Sequence, residues 1–138
     1  MKAIDLEVKR ICEEKLANDA KLSELFKNCY PNTMDTTVKT IGEKDTFVIT
    51  GDIPAMWLRD SSAQVRHYLP FAGEDTQLQA LLEGLISRQA KYICIDPYAN
   101  AFNENPDNSR WDEDETVLTP WTWERKDETC LLYTSPSP

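Results

Sequence analysis

Between Asp75 and Ile95 the chain repeats apolar residues at the spacing of an α-helix, and no other stretch restricts the fold so strongly. Leu78, Leu81, Leu82, Leu85, Ile86, Ala90, Ile93 and Cys94 recur at i, i+3, i+4 and i+7. Gln77, Gln79, Glu83, Arg88 and Lys91 take the other face, and Asp96-Pro97 ends the run. Shorter stripes precede it. Ile4, Leu6, Ile11, Cys12 and Leu16 predict a first amphipathic helix. Leu22, Leu25, Phe26 and Cys29 predict a second, interrupted at Pro31, after which Asn32 to Val38 reads as a separate helix. Phe47, Val48 and Ile49 make a short β-prone run, and Ser61 to Leu69 is helical again, closed by Pro70 and Gly73. Helices joined by long loops, with little strand, predict an all-α fold.

At 138 residues the chain has room for a single domain with a sizeable core, and 41% hydrophobic with 28% charged residues is a globular composition. No apolar run is long enough to span a membrane. The start, Met1-Lys2-Ala3-Ile4-Asp5, lacks the apolar core of a signal peptide, so the cytoplasm is the expected location. A net charge of -9, from 24 acidic and 15 basic residues with no local basic patch, argues against nucleic acid as a partner. Cysteines 12, 29, 94 and 130 and the single histidine, His67, match no metal-ligand spacing. Cys12 and Cys29 fall on apolar stripes and read as buried thiols. The run Asp112 to Glu115 lacks EF-hand spacing and reads as a solvated acidic loop.

Chemistry concentrates between residues 50 and 70. A Gly51-Asp52 turn, a Pro54-fixed backbone, the large aromatic Trp57 and the adjacent pair Arg59 and Asp60 lead directly into helical sequence. Asp60 can accept from two neighbouring hydroxyls, Arg59 can donate in a planar fork, and Trp57 offers an apolar face. That set suits a ligand rich in hydroxyls. It equally suits a buried tryptophan beside a structural ion pair, and the residues alone leave both readings open. Ser61 and Ser62 read as helix-start residues, Asp52 as a turn residue and His67 as packed or hydrogen-bonded. The polar loop after Pro97 carries Asn100, Asn103, Asn105 and Asn108, then Trp111, Trp121 and Trp123, which need burial or a ligand.

Gly51 to Gln64 closely resembles the signature block of glycoside hydrolase family 125, the metal-independent exo-α-1,6-mannosidases. The resemblance also takes in Leu25 to Val38, Tyr98 to Glu104 (Tyr-Ala-Asn-Ala-Phe-Asn-Glu) and Pro120 to Lys126 (Pro-Trp-Thr-Trp-Glu-Arg-Lys), in that order. It implies an (α/α)6 barrel of which residues 1–126 are the first part, a partial ring of the toroid with inner helix faces uncovered. It implies an inverting hydrolase that removes terminal mannose from oligosaccharides or N-glycans and needs no metal or other cofactor. Inversion takes two carboxyl groups roughly 6.5–9.5 Å apart. The family takes both from segments beyond the Trp-Glu-Arg-Lys block, so no residue here is expected to be catalytic, including Asp52, Asp60, Glu104 and Glu124. The resemblance makes Trp57, Arg59, Asp60, Asn103 and Glu124 the expected substrate-binding residues, with a mannose-terminated oligosaccharide as the partner.

Family members are several times longer, and the sequence departs from them after Lys126. Its last residues, Cys130 to Pro138, carry no charge, end in a Ser/Pro alternation and resemble the translated read-through of a sequencing adapter. The expectation is an N-terminal fragment, residues 1–126, inactive alone, with a foreign tail at 127–138. The alternatives are a genuine flexible tail, a non-catalytic carbohydrate-binding helical module that kept the pocket, and a helical interaction protein whose tryptophans only pack.

Overall fold

The computed structural model describes residues 1–110 and 119–124. The expectations for Trp111, for the acidic run 112–115 and for 127–138 lie outside these residues. Among them the chain is rich in helix, with short strands in two small sheets.

Helix α5 (Thr76–Ile95) is the long helix that the apolar stripe predicts. Asp75 starts it from an extended conformation, accepting the N–H groups of Gln77 and Leu78 at 3.0 and 3.2 Å, so two donors of the first turn are satisfied. Its other oxygen accepts the Ala3 N–H at 3.1 Å and ties the start of α1 (Lys2–Glu14) to the start of α5. Those backbone donors, Ala3 foremost, hold the Asp75 carboxyl below the usual carboxylate range.

Only part of the predicted stripe on α5 is core. Leu78, Leu82, Leu85 and Tyr92 are buried, whereas Ile86 and Ile93 are 61% and 48% exposed and Cys94 is also exposed. Arg88, expected on the polar face, is buried instead. Pairing makes its burial tolerable: its guanidinium forks onto Asp45, with Nη2–Oδ2 at 2.7 Å and a second bond from Nε. Nη1 donates to the Tyr92 hydroxyl at 2.6 Å and to the Glu104 carbonyl at 2.9 Å.

Strands β1 (Val38–Gly42) and β2 (Asp45–Val48) pair antiparallel, and β2 runs close against α5. The approach depends on Gly84, where a Cβ would lie 2.6 Å from the Thr46 Oγ1 and 3.1 Å from the Asp45 nitrogen. Of the β-prone run at 47–49, Phe47 and Val48 lie in this strand and Ile49 follows its end. The expected helix over 32–38 is shorter: α3 (Asn32–Thr36) stops before the β-branched Thr37 and Val38, and Val38 pairs with Val48.

Helix α2 (Ala20–Cys29) is capped by the Asp19 carboxylate, which accepts from the Leu22 N–H at 2.9 Å. None of its residues is buried, so the reading of Cys29 as a buried thiol is overturned; Cys12, on α1, is buried as expected. Helix α4 (Leu58–Val65) begins ahead of Ser61 and passes into a 3-10 turn, Arg66–Phe71, that contains Pro70. His67 in that turn lies between aromatic neighbours, its ring 5.0 Å from that of Tyr30 and 3.8 Å from that of Tyr68.

The second sheet adds three more short strands to this helix-rich framework, in line with the little strand expected. Strands β3 (Met56–Trp57), β4 (Ala101–Phe102) and β5 (Thr122–Glu124) pair antiparallel in that order. Each is too short to carry a period-two pattern, and the three are distant in sequence. Ile4, Phe47, Val48, Met56, Leu58, Tyr68, Leu78, Tyr92 and Phe102 belong to one continuous core, which joins both sheets to α1, α4 and α5. A smaller cluster of Ala55, Ala101 and Trp123, with Ile53 and Trp57 against it, sits beside the entrance to α4.

Candidate functional site

The site is built on the loop that delivers the chain from β2 to α4. Thr50 closes that loop: its N–H and its hydroxyl both donate to the Ala55 carbonyl at 3.1 Å, and the hydroxyl accepts the Trp57 N–H at 3.0 Å. Gly51 makes the turn at φ 76°, the left-handed region that a residue with a Cβ enters only with strain. An open cavity of about 410 Å³ results, within the roughly 300–1,000 Å³ of small-molecule sites. Thr50, Gly51 and Ile53 line it from the loop, and Trp57, Asp60, Ala63 and Gln64 from α4 and its entrance.

Two of the five residues expected to bind substrate, Trp57 and Asp60, therefore stand on one wall. Trp57 is half-buried at the N-cap position of α4, packed against the cluster of Ala55, Ala101 and Trp123 while also bordering the cavity. Asp60 lies in the first turn, where the unsatisfied N–H groups favour a negative charge. Arg59 is not among the lining residues. It approaches Asp60 from the side, Nε to Oδ1 at 3.5 Å, with side chains 45% and 44% exposed. A pair so exposed contributes about 0–1 kcal/mol.

Asn103 and Glu124 do not line this cavity. Glu124 ends β5 and is joined to the site through the sheet, since Trp57 pairs with Ala101 and Ala101 with Glu124. Two strand spacings, roughly 10 Å, separate the backbones of Trp57 and Glu124. Asn103 is buried and the bonds it makes are structural, while its Oδ1 accepts none among the described residues. Its N–H donates to the Trp121 carbonyl at 2.8 Å, its Nδ2 to the Pro120 carbonyl at 3.2 Å, and its own carbonyl accepts from the Tyr92 hydroxyl at 2.7 Å. Lys91 over the Trp121 ring at 3.9 Å holds the same segment to α5.

Ser61 and Ser62 donate to the Leu58 carbonyl at 3.1 and 2.9 Å inside the first turn of α4, and Asp52 lies exposed in the turn. Sequence reasoning did not single out Gln64, Thr50 or Ile53 as site residues. Gln64 had a signal: it follows Asp60 by one helical turn and so shares its face. Among the described residues no group of three or more His, Cys, Asp or Glu side chains is placed to hold a metal ion, and no helix is long and apolar enough to cross a membrane.

A signature loop that opens a helix with a tryptophan and an acidic residue on one cavity wall is the arrangement the resemblance leads one to look for. The model of the metal-independent alpha-mannosidase family GH125 matches residues 19–131, and the chain belongs to that family. It is similar to the meiotically up-regulated gene 157 protein of Schizosaccharomyces pombe, 48% identical over 88 residues, which are 61% of this chain and 17% of that protein. It is also similar to a metal-independent alpha mannosidase of Streptococcus pneumoniae, solved as a non-productive substrate complex with alpha-1,6-mannobiose. That match has a TM-score of 0.83 at 40% identity and covers 91% of this chain and 29% of the other. The chain thus spans under a third of the length of either relative.

Proposed function

We propose that this chain forms the sugar-gripping first part of an inverting exo-α-1,6-mannosidase. The whole enzyme would act on mannose-terminated oligosaccharides such as N-glycans. The observation that carries the reading is the cavity with Trp57 and Asp60 on its wall, in a chain 40% identical to a mannosidase crystallised with α-1,6-mannobiose. In this reading residues 1–126 are part of an (α/α)6 barrel. The exposed apolar residues of α2 and α5, among them Leu25, Ile86 and Ile93, are then faces that later helices cover.

An exo-acting enzyme must hold the non-reducing end by its hydroxyls. Asp60 accepts from hydroxyls of the terminal mannose, Arg59 orients that carboxylate and donates to a further oxygen, and Trp57 or Ile53 carries the C–H face of the ring. Glu124 and Asn103 support the same site through the β3–β4–β5 sheet. The acid and the base come from segments outside these residues, so the 138-residue chain alone does not turn over substrate. Contacts made here serve catalysis by holding the ring as it flattens toward the oxocarbenium-like transition state.

The test is hydrolysis of α-1,6-mannobiose by the full-length protein and its Asp60→Asn variant. Loss of kcat/KM on the order of 100-fold or more is expected, because the amide removes the charge and puts a donor where the sugar hydroxyls need a second acceptor. Unchanged turnover would remove Asp60 from the sugar site and the reading with it.

A further inference from the structure

We infer that Gln64 is a second hydroxyl-reading residue of this cavity, acting beside Asp60 on the neighbouring hydroxyl of the terminal sugar. The inference rests on the proposed mannoside-binding reading and adds a residue that selects which sugar is accepted.

The Thr50 hydroxyl is engaged within its loop by Ala55 and Trp57, and Gly51, Ile53 and Ala63 bring no polar side-chain atom. Beside the Trp57 indole, the polar side chains left on the wall are Asp60 and Gln64. Four residues apart on α4, they share one helical face.

A second glutamine beside the same helix gives the contrast. The Gln89 Nε2 reaches α4 from α5, donating to the Ser62 Oγ at 2.8 Å, the Ser61 Oγ at 3.0 Å and the Leu58 carbonyl at 3.2 Å. The fold consumes that amide. The Gln64 Oε1, by contrast, is shielded from solvent and accepts no hydrogen bond among the described residues. A buried amide oxygen without a donor is uncommon and calls for a partner; the Asn103 Oδ1 shares that condition, but of the two only Gln64 lines the cavity. The terminal torsion of glutamine is soft, so either end of the amide can turn to the cavity.

The chemistry of the two side chains is complementary. An ionised carboxylate only accepts, whereas a carboxamide both donates and accepts. Asp60 and Gln64 side by side match two adjacent hydroxyls, one donating to the carboxylate and its neighbour bonded by the amide. A sugar whose hydroxyl at that second position is missing loses the Gln64 bond and keeps the Asp60 bond.

The experiment uses the full-length protein, with Gln64→Met as a near-isosteric replacement, Gln64→Glu as a second variant and Asp60→Asn alongside. Each is assayed on α-1,6-mannobiose and on analogues lacking one hydroxyl of the terminal sugar in turn. For both Gln64 variants kcat/KM on the parent disaccharide should fall on the order of 10- to 100-fold. The ratio of wild type to variant should collapse toward unity on one deoxy analogue, at the position next to the one to which Asp60→Asn is insensitive. Wild-type activity in the Gln64 variants, an equal loss on every analogue, or insensitivity at a non-adjacent position would overturn the inference. Where Asp60→Asn also behaves as wild type, the mannoside reading has failed; where it loses activity while Gln64→Met does not, only the role of Gln64 has.

Discussion

The guanidinium of Arg88, in the middle of α5, closes on the carboxylate of Asp45 at the start of β2, bridging 43 residues of sequence. The Arg88 side chain is 2% exposed and that of Asp45 34%, so the pair is buried from the helix side and wet from the strand side. Burial pulls the Arg88 pKa down, but the bonds to Asp45 and Tyr92 outweigh it and leave the group above its ordinary value. Arg88→Met leaves the Asp45 carboxylate and the Glu104 carbonyl without this donor, while the Tyr92 hydroxyl keeps its bond to Asn103, and is expected to cost about 2–4 kcal/mol. Urea unfolding measures it, and an unshifted midpoint would show the pair to be dispensable.

Gly84 sets the distance between α5 and β2. Gly84→Ala places a Cβ 2.6 Å from the Thr46 Oγ1, with backbone of Asp45 and Lys44 at 3.1 and 3.2 Å, so the strand must move. Overpacking of this kind costs about 1–3 kcal/mol, against the gain in helix propensity that alanine would otherwise bring. Combining it with Thr46→Ala removes the nearest contact and should restore part of the loss in a thermal melt.

Burial pushes the phenols of Tyr68 and Tyr92 up to about 12 each. In the unfolded chain both ionise near pH 10, approximately the free value. Between about pH 10 and 12 the folded state therefore retains protons that the unfolded state has lost, and stability falls as pH rises through that window. Below about pH 10 the stability linked to these groups is fully present. Ultraviolet titration of the five tyrosines should show a late-ionising class that coincides with unfolding, and Tyr92→Phe should diminish it.

At Gly51 the space is open but the backbone is not permissive. No atom lies within 4 Å of a Cβ built there, while φ is +76°. Gly51→Ala should cost about 1–2 kcal/mol from backbone strain alone, and Gly51→Asn less, since asparagine tolerates that region. Because Gly51 lines the cavity, both variants should also weaken the mannoside binding proposed for the full-length protein. Equal melting temperatures for wild type and Gly51→Ala would contradict the strained turn.

Much of the helical framework was legible in the sequence. The stripe from Leu78 onward foretold α5, which starts at Asp75 where the run was expected to begin, and Gly51 turns the chain where a glycine is required. The signature also put Trp57 and Asp60 together at a helix entrance, because residues that close in sequence share one wall whatever surrounds them. These features depend on interactions within a few residues, and the amino-acid order specifies those directly.

Only the tertiary structure decided the rest. Arg88 is read as polar from its helix and is buried through a partner 43 residues away. Ile86, Ile93 and Cys29 read as core and are exposed, because burial depends on what packs against a face and not on the face alone. The three-stranded sheet that links Trp57 to Ala101 and Glu124 has strands of two or three residues, too short for any periodic signal. Pairing of that kind is created by long-range closure around the core, which no local pattern announces.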